Sequence, residues 1–234
     1  MAAVRPLAFL LFTASGATGL MLEVLWRHRL GQVFGGSAQA TAATLAAFFV
    51  GLGLGAWVWG RMAGRLARPL RAYALLELGA AVTGLLYFAA LPVHGRLYGW
   101  ALHLEGGEGL LLEALRLGLA LLFLGAPAFF LGGTFPFVAE ALVRGRRALG
   151  RDGPSLYALN TLGAALGVLG AAFVLPPAWG FALSYAAVLG AMVAVAVGAL
   201  LLDAAWEGAD AVLETSPAGT APGLPRGLAV ASGL

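Results

Sequence analysis

Apolar residues in this chain come in long unbroken runs, not in alternating or one-faced patterns. Each run approaches the roughly 20 residues that a helix needs to cross a bilayer, and most end at arginine, glycine or proline. The first, Pro6 to Trp26, follows Arg5 and has full spanning length without a clean small-residue cleavage site after it, so it reads as a retained helix, not a signal peptide. Gly31 to Ser37 then makes a turn, and the second run, Ala38 to Trp59, carries no charge. The third, Ala72 to Val93, has a single carboxylate, Glu77. A fourth begins near Leu110 and is interrupted at Pro127 and at Gly132-Gly133-Thr134-Phe135-Pro136, where a missing backbone donor predicts a protein-lined kink or break. The fifth covers Ser155 to Leu175, and Pro176-Pro177-Ala178-Trp179-Gly180 turns the chain into a sixth, Phe181 to Leu202. The pattern predicts an all-α membrane protein, a bundle of six transmembrane helices over residues 1–202, with a disordered or linker-like tail over 203–234 where alanine, glycine, proline and threonine take over.

Composition makes the class firm. Only 11% of the residues are charged and 61% are hydrophobic, against roughly 25% charged in an ordinary soluble domain. The 14 basic residues are all arginine, and their placement orients the bundle. Arg61, Arg65, Arg68 and Arg71 crowd the turn between the second and third runs, and Arg144, Arg146, Arg147 and Arg151 the segment before the fifth. Positively charged loops stay in the cytoplasm, so both termini and these two loops are expected there, with the loop Gly95 to Gly109 outside and its Tyr98 and Trp100 at headgroup level. Arg27, Arg29 and Arg96 fall on the outer side as a smaller counter-signal. The pI near 9.8 follows from this orientation and points to no nucleic-acid partner.

The absence of cysteine excludes disulfides, thiolate metal sites and cysteine catalysis. His28, His94 and His103 lack any metal-ligand spacing, so neither a metal nor another cofactor is expected. Gly51, Gly53 and Ala56 form G-x-G-x-x-A, but inside a spanning run and without a preceding strand, so close helix packing is the expected role and not dinucleotide binding.

Ionisable residues inside spanning helices are costly and are kept for pairing or for transport paths. Glu77 has no arginine three or four positions away and has Tyr73 one turn earlier on its face. It is expected in the bundle interior near Tyr157 or Asn160, accepting hydrogen bonds from Tyr73, Tyr157 or Asn160, either as a structural carboxylate or as a cation or proton carrier. Glu23 and Arg27, four apart with the acid first, are expected to pair, as are Glu113 and Arg116. Asn160 and Thr161 are suited to hydrogen bonds between helices. No Ser/His/Asp set is present in a credible arrangement.

The strings SGATGLMLEVLWRHRLGQVFGGS, FLGGTFPFVAEALV and YALNTLGAALGVLGAAFVLP, with the arginine-rich turn between the second and third runs, resemble the membrane domain of bacterial spermidine synthase-like proteins, often labelled fused major facilitator/spermidine synthase. The resemblance covers about Ser15 to Leu202 and matches Glu23, Glu77, Gly132 to Pro136 and Asn160 to Gly163 to the family pattern. No stretch here reads as the family's soluble aminopropyltransferase-like domain, so its catalytic residues are not carried over and no enzyme activity is expected of this chain. The resemblance implies a multi-pass protein of the bacterial cytoplasmic (inner) membrane. It implies a transporter-like module that handles a small cation such as a polyamine, with Glu77, Tyr73, Asn160 and Glu23 as candidate substrate-binding residues. Gly60 to Arg65 is also reminiscent of the major facilitator cytoplasmic signature, and six helices would be half of such a pathway, so a homodimer or partner subunit is expected. The alternative is a noncatalytic membrane anchor or scaffold for a soluble synthase-like partner. The bilayer is a partner in both.

Overall fold

The computed structural model describes residues 4–34, 37–105, 109–142 and 146–215, and their regular structure is helical throughout. Helix α1 covers Val4–Phe34, α2 Ala38–Ala63, α3 Pro69–Glu105, α4 Leu110–Ala120, α5 Ala126–Gly132, α6 Thr134–Leu142, α7 Arg146–Leu169 and α8 Leu175–Thr215. Among the described residues, five stretches are long and apolar enough to cross a membrane: Pro6–Gln32, Ala38–Ala63, Pro69–Phe88, Leu112–Leu142 and Gly153–Ala205. The architecture is that of a multi-pass membrane protein.

Local chemistry accounts for the helix ends. The Ser37 side chain accepts the Ala40 N–H at 3.1 Å, satisfying one of the donors that a helix start leaves without a partner. Gly64 ends α2 with its N–H on the Met62 carbonyl, and Pro69 opens α3, where the missing N–H costs nothing. Inside helices proline has a different effect. Five-residue π turns, Leu121–Gly125 and Gly170–Val174, lie just ahead of Pro127 and of Pro176-Pro177. The proline ring and its absent donor disturb the bonds one turn back, and the wider hydrogen-bonding pattern of a π turn absorbs the disturbance. The break expected at Gly132 to Pro136 is confined to Gly133, beyond which α6 resumes with the Thr134 hydroxyl donating to the Leu131 carbonyl at 2.7 Å.

The fifth apolar stretch is 53 residues long and reverses inside itself. Gly180 sits at φ 73° and ψ 170°, a region open essentially only to glycine. Cross-helix neighbours establish the reversal. Gly163 and Gly167 of α7 abut Thr13 and Ala17 of α1, so those helices run parallel, whereas α8 meets α1 at Tyr185 with Trp26 and at Gly198 with Leu11, running the other way. By the same reading α3 runs with α1, through Ser15 with Glu77 and Trp26 with Tyr87. The α4 to α6 segment runs parallel to α2, with Gly51 beside Gly125 and Gly55 beside Phe129. One end of the bundle therefore gathers the start of α1, the turn from Gly64 to Pro69, the end of α6 and Leu202; the other gathers the end of α1, the start of α2 and Gly180.

Gly51 and Gly55 hold the close packing expected of them, since a side chain at Gly55 would collide with the Phe129 carbonyl, whereas Gly53 faces open space. Trp26, Tyr87, Tyr185 and Phe48 centre one apolar cluster, and Phe12, Tyr73, Phe137 and Leu156 a second nearer the arginine-rich end. Phe49, Leu122, Leu166 and Phe173 point outward, an apolar exterior fitted to lipid.

Several boundaries differ from those the sequence suggested. Helix α1 continues past Trp26 to Phe34, and α3 runs through Pro92 to Glu105 where a loop was expected from Gly95. Tyr98 and Ala101, three positions apart, are buried, and Tyr98 accepts a hydrogen bond from Arg116 Nε at 2.6 Å, so packing against α4 keeps this segment helical. Helix α7 already begins at Arg146, and α8 extends past Leu202 to Thr215. Gly106, Arg144 and residues 216–234 of the expected tail lie outside the described residues.

Candidate functional site

Glu77 lies inside the bundle, wholly buried on α3 about two turns beyond Pro69, toward the arginine-rich end. The Ser15 hydroxyl of α1 donates a short hydrogen bond to its Oε1, while Oε2 has no hydrogen-bond partner in range among the described residues. No cationic side chain among the described residues pairs with it. The expectation of an interior Glu77 holds; Ser15 is its main hydrogen-bond partner, and the Tyr73 hydroxyl also interacts with the carboxylate, whereas Tyr157 and Asn160 do not. Tyr73, one turn earlier and buried, donates to the Leu11 carbonyl at 3.3 Å, and Asn160 Nδ2 of α7 donates to the Phe12 carbonyl at 2.9 Å. Both side chains thus bind the α1 backbone one turn before Ser15. Tyr157 faces outward, 64% exposed, with its ring edge-on to Phe135 at 6.2 Å, and is no partner of Glu77.

The geometry follows from small residues. Gly16 lets α7 approach α1 so closely that a side chain there would strike the Asn160 carbonyl, and Gly163 does the same against Thr13. That approach carries Asn160 to α1. Beside it is a cavity of about 150 Å³ lined by Ser15, Gly16, Leu20, Phe48, Thr134 and Asn160 among others. Ser15 touches both the cavity and Glu77, linking a buried carboxylate to a partly polar chamber. Ser15 did not stand out in the sequence as more than a small residue, because no spacing signal marks a contact across 62 positions, and Thr134 was legible only as part of the break at Gly132 to Pro136.

The other acids divide. Glu113 and Arg116 form the expected ion pair, with Arg116 also holding Tyr98. Glu23 and Arg27 do not: Arg27 is exposed, no contact within ion-pair distance joins them, and Glu23, 7% exposed, leaves Oε1 without a partner. The shared helix face is real, but the arginine extends to solvent at the end of the bundle and the carboxylate turns inward. Glu23 is therefore not brought into the group at Glu77, which consists of Ser15, Tyr73 and, through the cavity, Asn160. Among the described residues no group of three ligating side chains is positioned to hold a metal ion. No family model, curated protein or solved structure matches this chain.

Proposed function

We propose that this chain is a transporter-like membrane module that binds a small organic cation at Glu77. The observation that carries the reading is a fully buried carboxylate with one oxygen held by Ser15 and the other unpartnered, next to a chamber that Ser15 also lines. An acidic side chain in mid-membrane costs about 2.5 to 3.5 kcal/mol on insertion scales, and an ammonium group supplies the missing charge and hydrogen-bond donors together. A chamber of about 150 Å³ suits one charged end of an amine and part of its chain. The resemblance to spermidine synthase-like membrane domains supports a polyamine. Under the positive-inside rule the end bearing Arg61, Arg65, Arg68 and Arg71 is cytoplasmic, with six crossings in a bacterial inner membrane and a second copy or partner completing the pathway.

Purified protein should bind labelled spermidine, and Glu77→Gln should abolish that binding while folded yield stays nearly unchanged, since the amide keeps size but not charge. Equal binding by the variant refutes the site. A second reading is supported by the exposed arginines at one end, with Arg61 stacked over Trp57 at 3.8 Å: an anchor for a soluble aminopropyltransferase-like partner. That reading requires co-purification of such a partner and no amine binding.

A further inference from the structure

Helix α1 lines two cavities in succession on one side. The inner is the chamber at Ser15, Gly16 and Leu20. The outer, about 570 Å³, lies at the end of the bundle away from the arginine-rich turn, bordered by Arg27, His28 and Gln32 of α1, Thr41 of α2, and Ala171 and Pro176. Steps of three and four residues stay on one helix face, so Gly16, Leu20, Glu23 and Arg27 form a single strip. Glu23 falls between Leu20 at the inner cavity and Arg27 at the outer one. It is 7% exposed and its Oε1 is unpartnered.

We infer that small organic cations reach the inner chamber from the end of the bundle opposite the arginines, through the outer cavity, with Glu23 as an intermediate binding carboxylate in the wall between the two cavities. This rests on the reading of Glu77 as a cation site. Glu23 acts through protein of low dielectric, whereas Arg27 is exposed and its repulsion is screened by water and salt. A cation leaving water would meet Glu23 first and then the Ser15 chamber beside Glu77, and a series of sites, each weak enough to leave, is what passage requires.

The chain has no cysteine, so single thiols report access directly. In proteoliposomes, the Leu20→Cys variant is exposed on one side at a time to cationic, anionic and neutral thiol reagents of matched size, with Gly64→Cys marking the arginine side. The cationic reagent should react from the opposite side, faster than the anionic one by at least about tenfold, the ratio that one charge a helical turn away gives even at the dielectric of water. Adding Glu23→Gln should erase that preference and leave the neutral reagent's rate unchanged. Thr134→Cys, also at the inner chamber, gives the same comparison where the first variant does not fold. Equal rates for the two charged reagents, or reaction only from the arginine side, overturn the route. Charge-selective reaction that spermidine does not slow keeps the route and removes the amine site at Glu77; protection by spermidine without charge selectivity keeps the site and removes the route.

Discussion

Replacing Ser15 by alanine, alone and together with Glu77→Gln, measures what kind of hydrogen bond joins α1 to α3. Ser15 gives Glu77 Oε1 its donor, so the Ser15→Ala change removes the main hydrogen bond of the carboxyl group, leaves the weaker interaction with Tyr73, and barely alters volume. A bond to a charged group contributes about 1.5 to 3 kcal/mol, whereas neutral side-chain bonds between membrane helices average about 0.6 kcal/mol. Ser15→Ala should therefore cost about 1.5 to 3 kcal/mol in the native background and about 0.6 kcal/mol in the Glu77→Gln background. The difference, a coupling of about 1 to 2 kcal/mol, is the signature of a charged carboxylate and can be read from a double-mutant cycle. Reversible unfolding in mixed micelles, followed by tryptophan fluorescence, supplies the four stabilities. Additivity within about 0.5 kcal/mol would refute a charged Glu77 and with it the electrostatic basis of the proposed site.

The glycines give a second, independent set of tests. Gly163→Leu, which drives a side chain into the Thr13 carbonyl, should destabilise the bundle by about 3 kcal/mol or more, while Gly53→Ala, with open space around it, should be neutral or stabilise by up to about 1 kcal/mol; thermal unfolding in mild detergent separates them. Gly180→Ala should cost about 1 to 3 kcal/mol in the same assay, because alanine has no low-energy state at φ 73° and ψ 170°.

Much of the bundle was legible because a bilayer imposes its own length on apolar runs, and the arginine clusters bound most of them. The interior position of Glu77 was legible for a similar reason, since a short carboxylate cannot reach water from mid-helix. Its main partner was not. Ser15 looks like any small packing residue until the register of α1 against α3 is known, and Asn160 had an equally good acceptor in the α1 backbone, which it took; Tyr73, one turn away on the same helix, was the legible neighbour. The continuation of α3 beyond Pro92 was hidden because a proline and two glycines, Gly95 and Gly99, outweigh local propensity, while the burial of Tyr98 and its bond to Arg116 come from a helix more than ten residues later. The expected Glu23 to Arg27 pair failed because spacing on a helix decides which face two side chains share, not whether the longer one prefers water.

The seam between α1 and α7 has a consequence for biogenesis. Asn160 closes onto the Phe12 carbonyl across 148 positions of chain, whereas Ser15 meets Glu77 across only 62. At translation rates of roughly 5 to 20 residues per second, the first helix waits about 7 to 30 seconds in the bilayer for its glycine-matched neighbour. During that interval Ser15 can already be docked on Glu77, but the face of α1 bearing Thr13, Gly16 and Ala17 is uncovered. The nascent chain must then be sheltered by the insertion machinery, or held by α2 and α3, until α7 emerges to seal it.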